Sequence, residues 1–218
     1  MKTTLLLLAL LLCAAPSAAQ TAEPNVEIIA HRGESADAPE NTMAAFRLAW
    51  QRNDPAIELD VHLTKDGRLI VSHDANTKRT TGVDRIIEES TLEELRALDA
   101  GSWKGAQWAG EKLPTLEEVL AELPDGKKCI IEIKAGPEVV PAVARAVRES
   151  GLPPEQLAVI SFNLDAVAES KRQLPDIEAY YLASFKQDEA TGAWTPTIDT
   201  LIARAQSAGV DGLDLAYR

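Results

Sequence analysis

Ala56-Ile57-Glu58-Leu59-Asp60-Val61 is an apolar run broken by two carboxylates two residues apart. In an extended strand Glu58 and Asp60 share one face, opposite Ile57, Leu59 and Val61. Three more apolar runs end in charge. Ile28-Ile29-Ala30 leads into His31-Arg32-Gly33, Leu69-Ile70-Val71-Ser72 into His73-Asp74, and Cys129-Ile130-Ile131 into Glu132-Ile133-Lys134. Charge beside an apolar run is costly unless something pairs with it. Four such costs at strand ends predict one shared site holding two histidines, an arginine, a lysine and three carboxylates.

Outward from these runs, further buried strands are expected at Leu157–Phe162, Glu178–Leu182 and Gly212–Leu215, with the first strand near Glu27–Ala30. They are short, unbroken and rich in Val, Ile and Leu, as parallel strands covered on both faces should be. Helices fill the gaps. Asn41 is expected to cap one that runs to about Arg52. Thr115, with Glu118 three residues on, forms a capping box for another. Val139 to Ser150 ends at Gly151, Asp165 to Gln173 before Pro175, and Pro196 to Ala208 at Gly209. Repeated β-α units mean a parallel sheet. Seven strands in this rhythm fit an α/β fold of the TIM (β/α)8 type, in which charged strand ends meet at one mouth. No Gly-rich turn follows the first strand, which argues against the dinucleotide-binding alternative. Residues 74–112 break the rhythm and read as a small insertion after strand 3, with a helix at Leu92–Leu98. Trp103 and Trp108 either close over the mouth or anchor that insertion. The chain stops at Arg218, directly after the seventh strand, so strand 8 and helix 8 are expected to be lacking.

The first 19 residues read as a signal peptide: Lys2, an apolar Leu5–Leu12, then Ser17-Ala18-Ala19 before a cleavage site near Ala19–Gln20. The protein is therefore expected to be secreted or periplasmic, with residues 26–218 as the barrel. The apolar stretch is too short for a membrane anchor. Cleavage would leave Cys129 as the sole cysteine, so no internal disulfide is expected and Cys129 reads as a buried small hydrophobe. The formal net charge is −12, and −13 once Lys2 is gone. That argues against nucleic acid as a partner, which needs a basic footprint, and against tight adsorption to anionic lipid.

The motifs come in a fixed order: His31-Arg32-Gly33, Pro39-Glu40-Asn41-Thr42, Glu58-Leu59-Asp60-Val61, Leu63-Thr64-Lys65-Asp66-Gly67, His73-Asp74, Arg79-Thr80-Thr81-Gly82, Pro114-Thr115-Leu116-Glu117-Glu118 and Glu132-Ile133-Lys134. The set resembles the glycerophosphodiester phosphodiesterase family, in its bacterial, secreted form with a short insertion. The resemblance covers roughly Val26 to Lys134. Beyond that, the β-α rhythm and Ser161-Phe162-Asn163 match. It implies a TIM barrel that hydrolyses small-molecule glycerophosphodiesters to glycerol 3-phosphate and an alcohol with a divalent metal. It also implies attack by the substrate's own glycerol hydroxyl, giving a cyclic phosphate that water opens.

The residues themselves point the same way. Glu58, Asp60 and Glu132 offer three carboxylates with no Cys and no adjacent His, a set that selects one hard divalent cation, Ca²⁺ or Mg²⁺. The resemblance assigns the same three positions to metal. The alternative is a structural ion network of Glu58 and Asp60 with Arg32 and Lys134. In-line displacement at a phosphodiester needs one group to take a proton and another to give one, and imidazole can do either. His31 and His73 end separate strands, and the resemblance makes them the acid/base couple. Arg32 can hold two phosphate oxygens with its planar fork. Lys134 is a point charge for the same group or a partner to the carboxylates. Phe162 packs against the glycerol backbone or into the core. Glu40 is expected to fix Arg32 or a histidine, and Asn41 to act as a helix cap. His62 reads as a rim or surface residue. Two rivals remain: a lysophospholipase D-like phosphodiesterase, whose mouth would be apolar, and a non-catalytic or truncated barrel fragment. Oligomeric state is not written in the sequence.

Overall fold

The computed structural model describes residues 27–216. The expected signal peptide and its cleavage site lie outside the described residues. Strands β1 (Ile29–Ala30), β2 (Ala56–Leu63), β4 (Lys128–Ile133), β5 (Leu157–Ser161), β6 (Glu178–Ala183) and β9 (Gly212–Leu215) form one parallel sheet in the order β1-β2-β4-β5-β6-β9. Helices α1 (Met43–Gln51), α4 (Leu116–Glu122), α5 (Val140–Ser150), α6 (Leu164–Gln173) and α7 (Ile198–Ala208) lie between successive strands. No helix among the described residues is long and apolar enough to cross a membrane.

The period of two decides what each face of the sheet carries. Ile57, Leu59, Val61, Cys129, Ile131, Ile133, Leu157 and Val159 form one core with Phe46, Ala49, Val119, Val143 and Val147 from the helices. Cys129 is buried there, as its apolar run predicts. Alternate residues turn to the other face. Register pairs Asp60 with Glu132 and Glu58 with Ile130, so neighbouring strands set their carboxylates side by side.

β3 (Leu69–Val71) departs from expectation. It is not a parallel barrel strand but pairs antiparallel with β2, Val61 against Val71 and Leu63 against Leu69. The cause is the connection. Thr64 to Arg68 is a tight turn closed by Thr64 and Arg68, far too short for the crossover a parallel pair needs. His73 therefore reaches the mouth from an antiparallel strand of the same sheet.

The helix caps repay comparison. α4 has the expected capping box of Thr115 and Glu118, and α5 ends at Gly151 with φ 66°. Asn41 does not cap α1. Thr42 does, its side chain accepting from the Ala45 N–H, because Asn41 sits at φ 56° and sends its side chain elsewhere. In residues 74–112 the chain forms α2 (Lys78–Thr81) and α3 (Leu92–Arg96), the latter shorter than predicted and opened by a Thr91–Glu94 capping box. Lys104 Nζ donates to the Ser35 carbonyl at 2.7 Å, which ties this segment to the loop after β1. Trp103 Nε1 donates to the Ala100 carbonyl within its own segment. A small hairpin, β7 (Lys186–Gln187) and β8 (Trp194–Thr195), follows β6.

Candidate active site

The loop leaving β1 turns sharply. Arg32 has φ 58° and Gly33 φ 73°. A Cβ at Gly33 would come within 2.7 Å of the Ala45 backbone, so glycine is what lets α1 pack against this loop. The turn aims the Arg32 backbone N–H at Glu58 Oε2, 3.0 Å away. It leaves the His31 ring exposed, with Nε2 3.9 Å from the same oxygen. Ser35 Oγ donates to the His31 carbonyl at 2.8 Å and holds that backbone.

Glu58 and Asp60 on β2 and Glu132 on β4 offer one oxygen each, all within 4.8 Å of one another. They are 5%, 0% and 7% exposed. Burial, then the Asp60 charge, pushes the Glu58 carboxyl up to about 8. Burial likewise raises Glu132, against the opposing pull of Lys134. Glu58 Oε1 and Asp60 Oδ1 are buried and have no hydrogen-bond partner among the described residues. Three crowded carboxylates with open lone pairs, and no thiol or imidazole among them, are a donor set that fits a hard cation.

Cationic side chains surround the cluster. Lys134 Nζ donates to Glu132 Oε1 at 2.8 Å and lies 3.4 Å from Asp60 Oδ1. Arg32 Nε lies 3.4 Å from Asp60 Oδ2. Asn41 Nδ2 donates to Asp60 Oδ2 at 2.7 Å. Asn41 thus supports a carboxylate rather than a helix end. The ion-network contacts and the three-oxygen cluster coexist, since no cationic side chain bonds Glu58 Oε1 and Lys134 stands 3.4 Å from Asp60 Oδ1 without a hydrogen bond. Glu40 holds Arg32 as expected, its Oε1 accepting from Nη1 at 3.0 Å.

His31 and His73 stand close enough to feel each other's charge. The His31 pKa is lowered, first by partial desolvation, then by Arg32, with His73 adding to it and Asp60 opposing. His73 Nδ1 lies 2.7 Å from Asp74 Oδ1. The carboxylate can only accept, so Nδ1 carries the proton and Nε2 is left for chemistry. Phe162 is 53% exposed and lines a cavity of about 670 Å³ with Glu132, Lys134, Ser161 and Asn163; it is not core.

Three contributors carry no site role in the reading of the sequence. His62 follows Glu58 and Asp60 at the same spacing, so it shares their face of β2. It is half-buried, and its Nε2 sits 3.2 Å from the His73 carbonyl oxygen; it is not a rim residue. Burial lowers its pKa. Asp74 and Arg79 form an ion pair beside His73. The spacing was the available signal for His62, and adjacency to His73 for Asp74. Arg79 stands in the motif series, but nothing in the residues around it gives it a role.

Comparisons with known proteins agree with this geometry. The model of the glycerophosphoryl diester phosphodiesterase family matches residues 31–210. A glycerophosphodiester phosphodiesterase of Caldanaerobacter subterraneus is 40% identical over 156 residues, 69% of this chain and 64% of that protein. One from Bacillus subtilis is 32% identical over 176 residues, 73% of this chain and 60% of its own length. The chain thus spans less than two thirds of these relatives. Among solved structures, an Oleispira antarctica phosphodiesterase in complex with the product sn-glycerol-3-phosphate superposes with a TM-score of 0.76. It is 32% identical, over 87% of this chain and 74% of that one. A Thermotoga maritima glycerophosphodiester phosphodiesterase gives 0.68 at 31% identity, over 88% and 75%. On the match from His31 to Val210 and these relatives, the chain belongs to the glycerophosphoryl diester phosphodiesterase family.

Proposed function

We propose that this protein hydrolyses glycerophosphodiesters to glycerol 3-phosphate and an alcohol, with one divalent cation and an imidazole pair. The observation that carries this is the meeting of Glu58, Asp60 and Glu132 within 4.8 Å, with His31 at their edge and Arg32 and Lys134 beside them. Glu58, Asp60 and Glu132 would hold the cation, Ca²⁺ or Mg²⁺. Bound there, it neutralises charge on the transferring phosphoryl group. Arg32, braced by Glu40, offers N–H groups to phosphate oxygens, and Lys134 adds a positive charge. One imidazole takes the proton of the attacking hydroxyl while the other protonates the departing alcohol oxygen. A cyclic phosphate formed by the substrate's own hydroxyl would then be opened by water, with the two imidazoles exchanging roles. Water enters, glycerol 3-phosphate and the alcohol leave, and the protein ends unchanged.

The test is glycerol 3-phosphate release from glycerophosphocholine and glycerophosphoethanolamine. Release that stops with EDTA and returns with Ca²⁺ or Mg²⁺ is the expected result. Release that persists in EDTA removes the cation from the mechanism. Absence of release under every condition rejects the function.

One observation favours a second substrate class. Ser184, Phe185, Trp194, Pro196, Ile198 and Leu215 line an apolar cavity of about 570 Å³. It lies at the C-terminal ends of β6 and β9, the same end of the sheet as the carboxylates. A single acyl chain could lie there, giving lysophospholipase D-like activity. Faster turnover of lysophosphatidylcholine than of glycerophosphocholine would establish it, and the reverse order would reject it.

A further inference from the structure

Arg79 is claimed by neither the carboxylate cluster nor the imidazole pair, yet each of its donor nitrogens is engaged. Nη1 donates to Glu40 Oε2 at 2.8 Å and Nη2 to Glu40 Oε1 at 2.8 Å. Nε donates to Asp74 Oδ2 at 2.7 Å. Both carboxylates hand the connection on. Glu40 Oε1 also accepts from Arg32 Nη1 at 3.0 Å, and Asp74 Oδ1 accepts from His73 Nδ1 at 2.7 Å. An unbroken hydrogen-bonded chain therefore runs from Arg32 on the β1 loop to His73 on the β3 hairpin, through one guanidinium. We propose that Arg79 is a positioning residue that locks Arg32 and His73 into one frame, fixing the His73 tautomer and the separation of the two groups. The role rests on the activity proposed above.

Two physical arguments support it. Strand β3 is bonded to β2 as far as Ser72, whose N–H donates to the Asp60 carbonyl at 2.9 Å, but that backbone ladder orients neither the His73 ring nor the Arg32 side chain. A planar fork spanning two carboxylates orients both, and a lysine cannot, because its ammonium is a point charge. Secondly, Asp74 is held at about 2, first by the Arg79 hydrogen bond and against the effect of burial. It therefore stays an acceptor, and an acceptor at Nδ1 keeps the proton there and Nε2 free. An ordinary surface ion pair exists for comparison. Arg47 reaches both oxygens of the single carboxylate of Glu122 at 2.8 and 2.6 Å, at an exposed position with no hydrogen bond to the site residues.

The experiment uses the full chain with its divalent cation and glycerophosphocholine. It compares wild type, Arg79→Ala, Arg79→Lys and Arg47→Gln. Arg79→Ala is expected to lower kcat by about 10- to 100-fold with KM little changed. Guanidinium at non-denaturing concentration should restore part of that kcat. Arg79→Lys should stay low, and Arg47→Gln should match wild type. The ¹⁵N spectrum of the His73 ring gives a second measure that needs no turnover. Wild type should show the Nδ1-protonated tautomer and Arg79→Ala a mixture. Wild-type kcat in Arg79→Ala, a loss confined to KM, or an unchanged tautomer would overturn the proposal. If Arg79→Ala does not fold, Arg79→Lys carries the same two measurements. If wild type itself turns over neither glycerophosphodiester, the functional assignment fails, and the ring spectrum still decides the frame.

Discussion

Glu58→Gln is expected to lower glycerophosphocholine turnover by about 10²–10³-fold, the equivalent of roughly 3–4 kcal/mol of transition-state stabilisation. The substitution is nearly isosteric. The glutamine oxygen can still accept from the Arg32 N–H, which now meets Glu58 Oε2 at 3.0 Å. The other oxygen, Glu58 Oε1, has no hydrogen-bond partner among the described residues to lose. The fold should therefore survive, and what disappears is a charged ligand. Thermal melts separate the two effects. Wild type should gain stability when Ca²⁺ or Mg²⁺ is added, because a ligand that binds only the folded state shifts the melt upward. Glu58→Gln should melt normally without cation and gain much less with it. A variant that keeps both its activity and its cation response would remove Glu58 from the ligand set.

The second large effect belongs to the imidazoles. His31→Ala and His73→Ala should each lower kcat by about 10²–10⁴-fold, while glycerol 3-phosphate still binds. The two can be told apart by leaving group. A p-nitrophenyl diester departs without needing a proton, so only the variant that lost the general acid should be rescued on it. Rescue of one variant and not the other assigns the acid and the base. Rescue of neither, with full losses in both, would place both histidines on the attacking side. Wild-type rates in either would end that histidine's role.

Much of this site was legible because it obeys the period of a strand. Glu58 and Asp60 share a face by covalent geometry alone, and Glu132 ends a run that can only be a neighbouring strand. Parallel register then sets Asp60 beside Glu132. The helices announced themselves through Thr115 with Glu118, and through Gly151 and Gly209. What stayed hidden depends on contacts between distant residues. Asn41 looks like a cap, because asparagine before an apolar helix usually is one. Its left-handed backbone and its partner 19 residues away leave no local mark. Arg79 meets Glu40 across 39 residues, a distance no spacing rule covers. The β3 hairpin is a different case. Its turn, Lys65-Asp66-Gly67, was visible, and its shortness already forbade a parallel crossover. The apolar run on either side looked the same for both topologies.

The hairpin has a wider consequence. The oxygen donors stand on strands stitched into the middle of a sheet, whereas His73 lies just past the last rung of a short antiparallel strand, where side chains set the aim of its ring. Substitutions in the sheet interior should therefore act on all the carboxylates together. Those at the side chains that aim the ring can retune proton delivery. On the proposed activity, adaptation to a new acidity or a new departing alcohol thus has a natural place to begin, at side chains that are not themselves among the three carboxylates.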